Sequence, residues 1–133
     1  MIKLRIEVAD NPATLARGLM YREKLAADQG MLFKFPMVLE AAFWGKDTYI
    51  PLDIAFVASD GRINGIKSIT PMSTRTIHSD VSCVMAIEAN AGFFKTNGIK
   101  VGDKIEVVKD HDGKEAEIVF KAEQNAKDTE STL

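Results

Sequence analysis

A chain of 133 residues, 46% hydrophobic and 27% charged, fits one globular domain that can bury a core without disulfide or metal staples. Its formal charge of -2 gives no global sign of a basic glove for nucleic acid or a polybasic membrane anchor and disfavours duplex binding, leaving room for a local patch. Cys83 is the single cysteine, so no intrachain disulfide forms and the fold needs no oxidising compartment.

The opening MIKLRIEVAD alternates apolar and polar residues, with Lys3, Arg5 and Glu7 where a signal peptide needs an unbroken apolar run. It reads as a first strand with Ile2, Leu4, Ile6 and Val8 on the core side. Glu40, Lys46, Asp53 and Asp60 interrupt every later apolar run, so no membrane span is expected and the expected location is cytoplasmic. Asp10 or Asn11 caps a helix that Pro12 starts. Leu15 and Leu19, with Ala16 and Met20, form its buried stripe, and Arg17 and Tyr21 lie one turn apart on the flank. Gly18 is out of place there, since glycine inside a helix costs about 1 kcal/mol against alanine. A closely approaching backbone would explain it.

MLFKF, from Met31, is a short strand that Pro36 ends. Next comes FWGKDTYIPLDI, Phe43 to Ile54, in which an aromatic, a lysine and two carboxylates surround a proline. Run extended, it sets Trp44, Lys46 and Thr48 on one face. Pro51 stiffens the chain just before Asp53, a lone carboxylate among apolar residues that needs a partner. Asp60-Gly61 marks a hairpin between strands at Asp53 to Val57 and Arg62 to Ile69. Pro71 to Thr76 is a loop, Val81 to Glu88 a strand, and Ala91 to Thr96 a short helix stopped at Asn97-Gly98. Gly102-Asp103 is a tight turn whose aspartate accepts backbone N–H bonds, and two final strands end at Lys121. Residues 1–122 form one domain and 123–133 a polar tail expected to be disordered. Some seven short strands and two short helices predict a mainly β, α+β fold: a small, mostly antiparallel β barrel or half-barrel with helices plugging an end.

The segments RGLMYRE, GMLFKFP, FWGKDTYIPLDIAFVASDG and IEANAGFFKTNGIKVGD, in this order and spacing, resemble the bacterial, archaeal and phage family called domain of unknown function 192. The likeness runs from Ile2 to about Val108. It implies a small β-barrel-like fold and no established activity, and members often carry export signals of a kind not seen here. Family positions that carry over are Arg17, Gly18, Leu19, Met20 and Arg22, then Gly30, Met31, Phe33 and Phe35. The central motif adds Phe43, Trp44, Lys46, Thr48, Pro51, Leu52, Asp53 and Ile54, and the distal motifs Glu88, Gly92, Gly102 and Asp103. The family usually has methionine where this chain has Gly45 and asparagine where it has Asp47. These exchanges open space and add charge at the centre of the signature.

Arg17 and Arg22, beside Lys46, suit an anionic group, although either can instead pair internally with Asp47 or Asp53. Trp44 is either a stacking platform or a core or rim residue with its N–H satisfied. Asp47 and Asp53 are the candidate general acid and base, and the plainer account of Asp53 is a backbone-bonded turn. Glu88 can join the cleft or sit at an exposed strand end. His78, His111 and Cys83 lack metal-ligand spacing, so neither a metal nor a cofactor is expected. Cys83 alternates with Val81 and Met85 and reads as a small buried hydrophobe.

The expected function is therefore a non-enzymatic binding module. Its cleft lies around Trp44, Arg17 and Lys46, with Arg22, Asp47, Thr48, Asp53 and Glu88 as further ligand-binding candidates, for a small polar or anionic ligand or a protein partner. The alternatives are a carboxylate-based hydrolase or lyase using Asp47 or Asp53, and a structural piece that assembles as a homo-oligomer or within a virion.

Overall fold

The computed structural model describes residues 2–110 and 114–123, so His111 and the tail from 124 onward lie outside the described residues. The elements run β1 (Ile2–Ala9), α1 (Pro12–Arg17), β2 (Gln29–Phe43), β3 (Leu52–Val57), β4 (Ile63–Ile69), β5 (Ile77–Asn90), α2 (Phe93–Thr96), β6 (Lys104–Asp110) and β7 (Glu115–Lys121). All seven strands share one sheet in the order β4-β3-β5-β2-β1-β7-β6. Every pairing is antiparallel except β1 with β2, which are joined through α1. The sheet curls until its two edges touch. Arg62, just before β4, bridges to Lys104 on β6, Ile63 N donates to Asp103 O at 2.8 Å, and Ile105 N donates to Gly61 O at 2.9 Å. The result is the expected half-barrel with two short helices.

Curling gives the central strands two dry faces, which is why β3 reads LDIAFV as an almost unbroken apolar run. Side chains alternate between two cores. Ala55, Val57, Ile87, Ala89 and Leu32 join Leu4, Ile6, Ile118 and the α2 ring of Phe94 in one. Leu52, Ile54, Phe56, Met31 and Phe33 join Leu19, Ile50 and Cys83 in the other. This second core carries the site.

Four local expectations change. α1 starts as expected, with Asn11 accepting from Thr14 N in a capping box and Pro12 at the first position, but it ends at Arg17. Gly18 is its C-cap, at φ 51, so Leu19 is buried from the following turn and not from a helical stripe. β2 does not stop at Pro36. Its pairing with β5 jumps from Lys34↔Met85 to Leu39↔Cys83, so extra β2 residues arch outward there, and Pro36, which has no N–H to give the ladder, sits in that bulge. β5 begins at Ile77 rather than Val81, and α2 at Phe93 rather than Ala91. The hairpin at Asp60-Gly61 forms as expected, with Gly61 at φ 85. Asp103, buried in its turn, accepts from Lys100 N at 3.0 Å and Glu123 N at 3.1 Å, as its sequence context suggested.

Candidate functional site: a groove between the first helix and β2

The central motif is a turn, not an extended ribbon. β2 ends at Phe43, and Thr48 N donates to Gly45 O at 3.0 Å, placing Lys46 and Asp47 at the corner. Asp47 adopts φ 56, a conformation that aspartate and asparagine tolerate better than other residues bearing a side chain. An aspartate can therefore hold the place where the resemblance implies an asparagine. Gly45 is pressed onto the next loop, donating to Ser73 O at 3.0 Å, and a Cβ there would fall 1.9 Å from Thr70 O. No methionine fits this backbone. The turn also separates the residues expected to share a face: Thr48 is buried, while Trp44 stays 43% exposed with the Lys46 ammonium 5.3 Å from its ring centroid.

Beside this turn runs a groove of about 680 Å³ between α1 and β2. Leu15, Phe33, Phe35, Leu39 and Phe43 give it apolar walls, and Phe33 and Phe43 meet edge to face at 5.1 Å between centroids. Arg17, Trp44 and Glu40 line it as well, all three with solvent-exposed side chains, and Thr48 and Glu88 line it from buried positions. The Arg17 guanidinium lies 5.8 Å from the Tyr21 ring centroid, so it is held over an aromatic face on the rim.

Glu88 is not at an exposed strand end. It sits in the central strand β5 between Met31 of β2 and Ile54 of β3, and is only 4% exposed. Burial pushes its carboxyl up to about 8, which keeps it protonated at neutral pH. Among the described residues no hydrogen bond or ion pair reaches this carboxyl. Its Oε1 lies 4.0 Å from where a Cβ would stand on Gly18.

The remaining candidates lie off the groove. Arg22 grips Glu7 with both guanidinium nitrogens, one at 2.9 Å, so its partner is neither Asp47 nor Asp53. Asp47 accepts from the Tyr21 hydroxyl at 3.1 Å, an interaction that raises the tyrosine pKa. Asp53 accepts from Ser68 Oγ at 2.8 Å and from Gly92 N at 2.8 Å, a bond across the fold rather than a local turn. Neither aspartate lines the groove, whose carboxyl groups are the exposed Glu40 and the buried Glu88. Burial pushes the Cys83 thiol up, as suits an inert core sulfur. Among the described residues no three His, Cys, Asp or Glu side chains gather to hold a metal, and no helix is long and apolar enough to cross a membrane.

The sequence reading missed Leu39, Ala41 and Ala42 as part of the groove because it ended the strand at Pro36. The alternation through Leu39, Ala41 and Phe43 was the signal available for continuing it.

A curled seven-stranded half-barrel bearing one apolar groove with a buried acid defines a small β domain with a ligand-sized hollow. The chain belongs to the family DUF192, described as an uncharacterised ACR, whose model matches residues 2–107. It is similar to a crystal structure from Sinorhizobium meliloti 1021, described conjecturally as a transcription regulator, at 41% identity and a TM-score of 0.74 over 76% of this chain and 79% of that one. It is also similar to a protein of unknown function from Novosphingobium aromaticivorans DSM 12444, at 36% identity and a TM-score of 0.72 over 74% of this chain and 71% of the other. No curated protein matches the chain.

Proposed function

We propose that this domain is a non-enzymatic binding module whose groove holds a small molecule with an apolar body and a polar end. The groove itself carries the reading: about 680 Å³ of space walled by Leu15, Phe33, Phe35, Leu39 and Phe43 is large enough for a compact ligand. The polar or anionic ligand expected from the sequence is thereby narrowed, because the walls favour hydrocarbon. A polar end is met by Arg17 and Trp44 at the rim, with Lys46 stacked on the indole next to them. Transcription regulation, suggested for the Sinorhizobium relative, would call for a basic face, and a formal charge of -2 gives no support for carrying it over.

Displacement of 8-anilinonaphthalene-1-sulfonate, followed together with Trp44 fluorescence, tests the reading. The dye is expected to bind the native chain and to lose most of its affinity in L39W, which enlarges a side chain on the groove wall. Unchanged binding by L39W, or none by the native chain, would remove the reading.

A further inference from the structure

We propose, resting on the groove reading above, that Glu88 is the polar receptor at the groove floor: its carboxyl donates a hydrogen bond to the carbonyl oxygen of an apolar ligand, selecting amides, esters or ketones over amines. A carboxyl that is 4% exposed and meets no partner among the described residues is a costly thing to hold in a core. Its surroundings offer no compensation: Met31 and Ile54 flank it in the sheet and the Phe33 ring stands beside the Gly18 turn above it. Glu88 lines the groove, so a partner in the groove can reach it.

Three features fix the chemistry of that partner. The group is held as the acid at neutral pH, since burial raises it to about 8, so it offers an O–H donor. The charged groups lining the same groove are Arg17 on α1 and Glu40 on β2, both with exposed side chains, while β3 meets Glu88 with Ile54. An ammonium entering this floor would be stripped of water to meet a single carboxyl that must first ionise, and the opposite charges of Arg17 and Glu40 give it no net attraction on the way. A neutral carbonyl loses less water and takes the available proton donor directly.

The test uses the full chain with 2-heptanone and hexylamine as matched probes, read by calorimetry and Trp44 fluorescence at pH 6 and pH 9.5; the ketone has an acceptor oxygen and no N–H that an ionised carboxylate could accept from. 2-Heptanone is expected to bind at pH 6 and to weaken at least about tenfold at pH 9.5, where Glu88 has ionised and lost its donor. E88Q keeps an N–H donor and is expected to bind equally at both pH values. E88L is expected to bind 2-heptanone about tenfold or more weakly than the native chain, and hexylamine to bind the native chain at least tenfold more weakly than 2-heptanone. Thermal unfolding confirms that both variants are folded. Equal affinity of E88L and the native chain for 2-heptanone, or a preference for the amine, overturns the assignment. If the naphthalene dye still binds in that case, the groove survives and only the role of Glu88 falls; if neither dye nor ketone binds, both readings fall.

Discussion

Gly18 and Glu88 lie against one another across the groove: a Cβ on Gly18 would stand 4.0 Å from Glu88 Oε1 and 3.3 Å from the Phe33 ring. The glycine lets the chain leave α1 at φ 51 and drop Leu19 into the core while the acid and the ring remain below it. G18A faces both an unfavourable backbone conformation and a tight contact with an aromatic ring that is itself packed on Phe43. Its expected cost is roughly 1–3 kcal/mol in urea unfolding, together with weaker dye binding. An undiminished unfolding midpoint would show that the turn relaxes freely.

The departure that the resemblance implies at Gly45 is testable in the reverse direction. Introducing methionine with G45M drives a side chain into the Thr70 carbonyl, 1.9 Å from the Cβ position, and threatens the Gly45 to Ser73 bond. Because the obstacle is backbone, it cannot rotate aside. A loss of about 3 kcal/mol or more is expected on denaturant unfolding. A G45M variant as stable as the native chain would mean that the loop at Thr70 moves as a unit.

Asp53 ties β3 to β4 through Ser68 and to the entry of α2 through Gly92 N. D53A leaves that N–H unpaired in a partly buried place, so it is expected to cost about 1–3 kcal/mol while leaving groove binding intact. The same experiment separates a structural acid from a catalytic or ligand-binding one, because loss of dye binding without loss of stability would return Asp53 to the site.

How much of this was legible depended on whether the deciding contact was local. The alternation in β1, the Asn11 cap, the Asp60-Gly61 hairpin and the Asp103 turn are each settled within a few residues, and each is found as read. Pro36 misled because a bulge lets a strand pass through a proline, and nothing local announces the compensating shift in β5. Arg22 found Glu7, fifteen residues earlier, and Asp53 found Gly92, thirty-nine later, pairings that depend on strand order. Glu88 was the hardest to place. A glutamate closing an apolar run looks like a strand end reaching water, and only the position of β5 in mid-sheet, between β2 and β3, buries it.

That burial makes stability depend on pH in a direction opposite to the usual carboxylate. The folded chain holds the Glu88 proton up to about 8, against an ordinary value of 4.5. The group therefore favours the folded state most strongly below pH 4.5. As pH rises from 4.5 towards 8 the unfolded chain releases its proton and the folded chain does not, so stability drains away at up to about 1.4 kcal/mol per pH unit. Asp28 and Asp80 are held low by their hydrogen bonds to Arg5 and Lys67, so their contributions change in more acidic solution and leave this window clear. E88Q has nothing to titrate there. Urea midpoints at pH 5, 6.5 and 8 are expected to fall for the native chain and to stay nearly level for E88Q, bringing the variant level with or above the native chain at pH 8. Parallel pH profiles for the two proteins would mean that the carboxyl is hydrated in the folded state, and the groove would then lack a dry floor.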